Sequence, residues 1–203
     1  MKKILIPFLN AIDPTSGGVE RVYHNLVPSF IKMGYEVYAT YHIRSQYDKA
    51  SVYTDVFYLG EKTRNNNEIQ NEWLQIIKQK NINIVICPFV NSFYYDFFSR
   101  QKELQVYFHI HNVPSVYCYP SYSKVPACLR HTFVDDFFKW LRFTVFFRKS
   151  FDRINKNGMK IILLSDRFKE DFKSFFSIDD DNLKAIPNPI VRDENFDFKR
   201  THK

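Results

Sequence analysis

Apolar and polar positions along the chain form short blocks, and each block has the period of a strand or of a helix. Residues 4–9 are an apolar run that ends in a polar, turn-forming stretch, which is typical of a buried strand leading into a loop. Over residues 19–31 the apolar side chains recur at three- and four-residue intervals, which indicates one face of a helix that Pro28 should kink. The chain therefore begins with a predicted strand, loop and helix.

The same alternation continues to residue 186. The pattern predicts strands at residues 4–9, 36–41, 55–59, 82–89, 104–111, 160–165 and 183–186. It predicts further helices from residue 65 and at residues 91–103, 129–155 and 166–176. Strands that alternate with helices form a parallel sheet, because right-handed crossovers place the helices on its faces. We therefore expect an α/β fold, a Rossmann-like three-layer sandwich with a mostly parallel sheet.

The end of the sequence predicts a domain boundary. Pro187, Asn188 and Pro189 cannot continue a helix or a central strand, and a polar tail follows them. We expect residues 1–190 to form one domain and residues 191–203 to be the start of a linker or tail, so that the natural protein continues.

Composition and charge narrow the class of protein. With 45% apolar and 25% charged residues the chain is globular, and its 21 Phe, 13 Tyr and 2 Trp exceed what a minimal core needs. The net charge of +7 suits an anionic partner. Because the basic residues are scattered and no nucleic-acid-binding motif occurs, we expect no nucleic-acid partner.

The cysteines and the apolar runs indicate a compartment. The three cysteines form no CxxC pair, so the sequence predicts neither a disulfide framework nor a zinc ribbon. It therefore indicates a reducing compartment. The amino-terminal apolar run is too short for a signal peptide, and no window holds 18 uninterrupted apolar residues. We expect a cytoplasmic protein that does not span a membrane.

Gly17 and Gly18 lie between the first predicted strand and the first predicted helix. Glycines at a helix start let a ligand approach the backbone, and the free N–H groups favour a phosphate or carboxylate. The G-x-G-x-x-G fingerprint of NAD-binding proteins is absent. A glycine turn that only packs the helix against the sheet remains the alternative.

His109 and His111 are two residues apart at the end of a predicted strand, so they face the same side. Such a pair could ligate a metal ion, although no third ligand with suitable spacing is evident. In a doubly wound sheet the carboxyl ends of the strands line the ligand crevice, which favours a functional His111. A histidine that only hydrogen-bonds the backbone at a strand end remains the other interpretation, and His109 is interpreted as structural.

Several segments, in order along the chain, resemble the N-terminal domain of family 4 glycosyltransferases of the GT-B fold. They are residues 17–22 with 32–37, 111–114, 162–168 and 183–190. The resemblance implies a protein of two Rossmann-like domains, with the acceptor mainly on the first and most of the nucleotide-sugar donor on the second. This chain matches the first domain, and the nucleotide-sugar-binding C-terminal domain is absent from it. The isolated chain is therefore expected to be inactive.

The resemblance also implies roles for particular residues. His111 is the expected catalytic residue, Gly17 and Gly18 are expected to bind the donor phosphates, and Asn112 and Ser165 are expected on the acceptor side or in the cleft. It implies a retaining, metal-independent hexosyl transfer from a nucleotide-sugar, the co-substrate, to a glycan or lipid-linked acceptor in cell-surface polysaccharide synthesis. No cofactor and no metal are expected.

Residues 129–153 combine eight aromatic side chains with a local charge of +3. A basic, aromatic helix suits the surface of an anionic membrane, here its inner face, with Trp140, Arg142, Arg148 and Lys149 toward the lipid. The alternative is a core helix whose aromatic rings pack on the sheet. The surplus of aromatic residues also leaves a second function open, a non-catalytic docking or membrane-recruiting subunit.

Overall fold

A computed structural model describes residues 2–48, 52–61, 65–111 and 147–189. In these ranges seven strands form one sheet in which every neighbouring pair is parallel. The strands are β1 (Lys3–Pro7), β2 (Glu36–Tyr41), β3 (Asp55–Tyr58), β4 (Ile84–Cys87), β5 (Gln105–Ile110), β6 (Lys160–Leu163) and β7 (Leu183–Ala185). The helices of these ranges are α1 (Gly18–Lys32), α2 (Asn66–Lys80), α3 (Ser92–Phe98), α4 (147–156) and α5 (Arg167–Phe175). The α/β, Rossmann-like prediction is confirmed.

The order of the strands determines where a ligand can bind. The sheet runs β3-β2-β1-β4-β5-β6-β7, so the direction in which strands are added reverses between β1 and β4. In doubly wound sheets the loops at such a reversal diverge and leave a crevice at the carboxyl ends of the strands. The loop into α1 lies at this point.

Alternate side chains of the strands enter two separate cores, one on each face of the sheet. Leu5, Val85 and Phe108 face α2, α3, α4 and α5, whereas Ile4 and Ile6 pack with the buried side chains of α1. Successive side chains of a strand point to opposite faces of the sheet, and here helices cover both faces, so neighbouring residues enter different cores. In the described part of the chain, α1 is the helix that covers the second face.

Local signals explain where the helices begin and end. The Asn65 side chain accepts a hydrogen bond from the Asn67 N–H at 2.9 Å and caps α2, which begins next to the predicted start at residue 65. Asn91 caps α3 in the same way through the N–H groups of Phe93 and Tyr94. The predicted helix 91–103 is too long, because α3 ends at Phe98 and turns follow it.

The strands are also shorter than their apolar runs. The predicted strand 4–9 ends at Pro7, yet Phe8 is fully buried and its N–H donates to the Thr40 carbonyl at 2.8 Å. Burial therefore extends beyond the ladder of paired residues, and an apolar pattern overestimates the strand. α1 continues through Pro28 to Lys32, and Gly34 follows with a φ of 87°, a conformation that glycine adopts without strain.

Candidate functional site

The amino end of α1 is one side of the candidate site. Gly17 precedes the helix in an extended conformation, and the Glu20 carboxylate folds back against it and accepts a hydrogen bond from its own N–H. A Cβ atom on Gly17 would collide with that carboxylate. Gly17 therefore leaves room for the Glu20 carboxylate in its observed position.

Gly18 differs from Gly17 in its surroundings. A Cβ atom on Gly18 would meet no described residue within 4 Å, so within the described ranges the space beside the first turn of α1 is open. The first N–H groups of a helix have no partner within the helix and carry a partial positive charge. Of the two glycines predicted to bind phosphate, Gly18 is the one that leaves backbone accessible.

Glu20 places a negative charge beside this helix end. Its side chain is buried, and burial raises the pKa of the carboxyl, its own backbone N–H lowers it, and the charge of Asp13 raises it further. The net shift is upward. When it is ionised, the Glu20 carboxylate therefore opposes an anion on the Gly17 side of this helix end.

The end of β5 is the other side of the site, and Tyr23 of α1 connects the two. Tyr23 Oη and His109 Nδ1 lie 2.8 Å apart and share a buried hydrogen bond. The rings of His109 and His111 are 3.9 Å apart between centroids, and Tyr23 meets each of them edge-on at 5.9 Å. The structure thus brings the predicted His111 close to the helix of the predicted glycines.

Burial keeps both imidazoles neutral. It lowers the pKa of His111 to about 4, and burial together with the neighbouring His111 lowers the pKa of His109 to about 3. The Nε2 atoms of both rings are buried and have no hydrogen-bond partner among the described residues. A neutral imidazole can donate or accept one hydrogen bond at such an atom, so each ring keeps one polar atom without a partner among the described residues.

The pair does not form a metal site with the residues that the structure describes. Within these ranges no cluster of three or more His, Cys, Asp or Glu side chains could hold a metal ion. Two imidazoles alone fall short of the ligand sets that proteins use for zinc. The metal interpretation of the two histidines therefore gains nothing from the structure.

Of the two residues expected on the acceptor side or in the cleft, Ser165 can be placed. Ile110 of β5 pairs with Leu163 of β6, so Ser165 follows β6 at the same edge of the sheet as His111. Its hydroxyl oxygen accepts a hydrogen bond from the Arg167 N–H at 3.3 Å, at the start of α5. Asn112 lies outside the described residues.

The aromatic and basic segment 129–153 is described from residue 147 onward, as part of α4. Phe147 and Phe151 are buried against the sheet, so this portion packs as a core helix. Arg148 and Lys149 lie on the exposed side of the same helix. Trp140 and Arg142 lie outside the described residues. Of the helices in the described ranges, none has the length and apolar content that a bilayer crossing requires.

Sequence reasoning missed several polar residues of this edge. No sequence motif includes His42, yet its ring shares hydrogen bonds with the Gly60 carbonyl at 2.9 Å and the Tyr94 hydroxyl at 3.1 Å. Glu20 and Tyr23 were not singled out as polar groups. The acidic residue three positions after Gly17 is the one local signal that could have indicated a capping carboxylate.

Comparison with solved structures places this fold among known proteins. The chain is similar to the Anabaena protein HepE, solved in complex with UDP, with a TM-score of 0.60 and 10% identity over 94% of this chain and 44% of HepE. It is also similar to WaaG, a glycosyltransferase involved in lipopolysaccharide biosynthesis, with a TM-score of 0.57 and 12% identity over 94% of this chain and 46% of WaaG. The chain therefore spans less than half the length of either protein.

Sequence comparison identifies the family. No curated protein matches the chain. The model of Glycosyltransferase Family 4 matches residues 16–194, which include the glycine turn, both histidines and the last strand. The chain belongs to Glycosyltransferase Family 4 and has one half of the GT-B fold.

Proposed function

We propose that the complete protein transfers a hexosyl group from a nucleotide-sugar donor to a glycan or lipid-linked acceptor in cell-surface polysaccharide synthesis. The observation that carries this proposal is the packing of α1, the helix that begins at Gly18, against the end of β5. Tyr23 of α1 meets the rings of His109 and His111 edge-on, and Nε2 of His111 has no hydrogen-bond partner among the described residues. A diphosphate needs donors without a negative side chain, and a sugar hydroxyl needs a neutral polar atom. This edge offers one of each.

The amino end of α1 would hold the diphosphate of the donor. Its free N–H groups and the helix dipole stabilise negative charge that develops as the nucleotide departs. Gly18 leaves room for this approach, while the Glu20 carboxylate prevents an anion from binding on the Gly17 side. HepE, a structural neighbour, was solved with UDP, which supports a nucleotide-based donor here.

His111 would contact the donor sugar or orient the acceptor. Because its pKa is lowered to about 4, it acts at neutral pH as a hydrogen-bonding imidazole and not as a cation. His109 would be a positioning residue, since its hydrogen bond with Tyr23 holds the two rings against α1. Transfer with retention and without a metal ion is carried over from the family resemblance.

Most of the donor contacts would come from a second domain. The chain covers less than half of HepE and of WaaG, so the complete protein needs further sequence for a comparable cleft. We therefore propose that the 203-residue chain alone is inactive and binds nucleotide-sugars poorly.

An acceptor linked to lipid would require contact with a membrane. Arg148 and Lys149 on the exposed side of α4 could attract anionic lipid at the inner face of the membrane, each contributing about 1 kcal/mol. WaaG, the other structural neighbour, is involved in lipopolysaccharide biosynthesis, which supports a cell-surface product.

The test is a transfer assay on the full-length protein with a panel of UDP- and GDP-sugars and extracted membrane lipids as acceptor. We expect one donor to give lipid-linked sugar, and His111→Ala to reduce kcat at least about a hundredfold if the imidazole acts in the transition state. The proposal would be contradicted if no donor of the panel gave any transfer, or if His111→Ala kept full activity. Calorimetry on the 203-residue chain should show no binding tighter than roughly 10 µM.

A further inference from the structure

A basic groove lies at the edge of the sheet opposite to the candidate site. It has a volume of about 420 Å³ and is lined by Arg100, Lys102, Asp152, Arg153, Lys156 and Asn157. Lys102 precedes β5 and Lys156 precedes β6, so the groove lies at the amino ends of these strands. His111, at the carboxyl end of β5, is on the other side of the domain.

The charges of this groove are unbalanced. Four of the six lining residues are cationic and only Asp152 is acidic. Lys102 and Lys156 are exposed and form no ion pair with any residue that the structure describes. Cations held close together in a concave surface repel one another, and an anion placed between them relieves that repulsion.

Hydrogen bonds to Asp96 and Ser99 fix the two arginines of the groove. Asp96 accepts hydrogen bonds from Arg100 at 2.9 and 2.7 Å and from Arg153 at 2.9 Å. Arg153 also donates to the Ser99 hydroxyl at 3.0 Å, and Asn157 donates to the Ser99 carbonyl at 2.9 Å. These bonds tie the end of α4 to the turn that follows α3, so the cations are positioned before any ligand arrives.

The Asp96 carboxylate is fully committed to this support. Partial burial alone would raise the pKa of Asp96, but the hydrogen bonds and charges of Arg100 and Arg153 hold that pKa below its ordinary value. Its charge is thus shared between two guanidinium groups, each of which keeps N–H groups that bond to no described residue. A guanidinium fork of this kind suits phosphate oxygens.

We propose that this groove binds a phosphoryl anion, either a free diphosphate or the phosphate headgroup of a lipid. Two positioned guanidinium groups would bind the oxygens, and the mobile ammonium groups of Lys102 and Lys156 would close over them. The site is separate from the cleft edge at Gly18 and His111, so it does not depend on the proposed transfer reaction.

Two probes distinguish the two sources of phosphate. Calorimetry with inorganic pyrophosphate measures binding of a free anion, and co-sedimentation with phosphatidylglycerol or phosphatidylcholine vesicles measures binding of headgroups. The groove variant is Lys102→Gln with Lys156→Gln, both exposed residues whose loss should leave the fold intact. The control is Lys32→Gln with Lys78→Gln, which removes the same charge from exposed positions in the last turns of α1 and α2.

We expect the wild type to bind pyrophosphate or phosphatidylglycerol vesicles at about 20 mM salt and to release them as screening increases. The groove variant should bind about tenfold more weakly, and the control should change binding by less than about twofold. Loss in the pyrophosphate assay alone assigns a free anion, and loss in the vesicle assay assigns a headgroup. Absence of binding to both probes, or equal losses in the groove variant and the control, would overturn the proposal.

Discussion

Tyr23 of α1 and His109 of β5 share a buried hydrogen bond, with 2.8 Å between the hydroxyl oxygen and Nδ1. Whichever of the two atoms donates, Nε2 of His109 stays without a partner among the described residues. The bond fixes the distance between the helix that carries Gly18 and the strand that leads to His111. The geometry of the candidate site therefore rests on a residue pair 86 positions apart.

Tyr23→Phe should destabilise the protein by about 1–2 kcal/mol, because it leaves the buried Nδ1 of His109 without its partner. Urea unfolding followed by fluorescence measures the change in the free energy of unfolding. Tyr35→Phe is the control, since the half-buried Tyr35 hydroxyl makes no hydrogen bond to a residue that the structure describes. Equal stability of wild type and Tyr23→Phe would show that the bond contributes nothing.

The two histidines predict a loss of stability in acid. Their pKa values in the folded protein, about 3 for His109 and about 4 for His111, lie below the ordinary value of 6.5, so the unfolded chain binds more protons. The stabilisation is complete above about pH 6.5 and is lost as the pH falls toward 4 and then 3, with a slope of at most about 1.4 kcal/mol per pH unit for each histidine.

NMR titration of the imidazole C–H resonances measures this directly. Both rings should stay neutral down to about pH 5 in the folded protein, and His109→Gln should reduce the slope of unfolding free energy against pH. A ring that titrates near pH 6.5 in the folded state would contradict the burial of that histidine.

Gly17 and Gly18 should respond differently to a methyl group. Gly17→Ala displaces the Glu20 carboxylate and should cost about 0.5–1 kcal/mol, whereas Gly18→Ala fills open space and should be neutral or slightly stabilising. Urea unfolding provides the measurement. In a Glu20→Ala background the cost of Gly17→Ala should disappear, and a cost that persists would show that another contact is responsible.

In the complete protein, Gly18→Val should suppress turnover while the thermal midpoint changes little. The branched side chain would occupy the space through which we propose that a diphosphate approaches α1. Near-normal turnover would contradict a phosphate site at Gly18. Parallel losses of turnover and stability would show instead that the glycine serves packing.

Substitutions on the buried side of α4 should affect stability, and substitutions on its exposed side should affect membrane binding. Phe151→Ala should cost about 3–5 kcal/mol of stability. The ring is buried against Phe172 of α5, 5.0 Å away between centroids, and against Phe176 just after α5, 4.2 Å away. Arg148→Gln with Lys149→Gln should leave stability within about 0.5 kcal/mol but weaken binding to anionic vesicles by about 2 kcal/mol, or about thirtyfold. Wild-type protein that ignores such vesicles at low salt would exclude a lipid-facing α4.

The periodic elements could be predicted from the sequence because their signals are local. The apolar spacing of α1 acts within a few residues, and the helix that it predicts was confirmed. The Asn65 cap of α2 and the glycine after Lys32 are local features too. The ends of the strands could not. Phe8 is fully buried and its N–H still donates to the Thr40 carbonyl, although β1 ends at Pro7, so the apolar run does not mark the end of the strand.

The polar contacts of the site could not be predicted from the sequence either, because they join residues that are far apart along the chain. Sequence spacing places His109 and His111 on one side of a strand, but only the packing of α1 against β5 brings Tyr23 to their rings. Likewise nothing local indicates that His42 meets Tyr94, 52 positions away. Pairs of this kind are set by the tertiary fold, whereas the glycine turn and the strand-end histidine follow from chain order and topology.

The position of β1 has a consequence for how the chain folds. β1 is synthesised well before β4, yet the two strands pair, and the Asn83 N–H reaches the Lys3 carbonyl across 80 residues. Contacts so far apart in sequence close late, because the loop entropy is lost before the pairing compensates for it. On the ribosome, the β4-facing edge of β1 therefore stays unpaired until about eighty further residues have emerged. Over that interval the nascent chain exposes an unpaired edge, which is prone to aggregation, on a strand that becomes interior to the sheet.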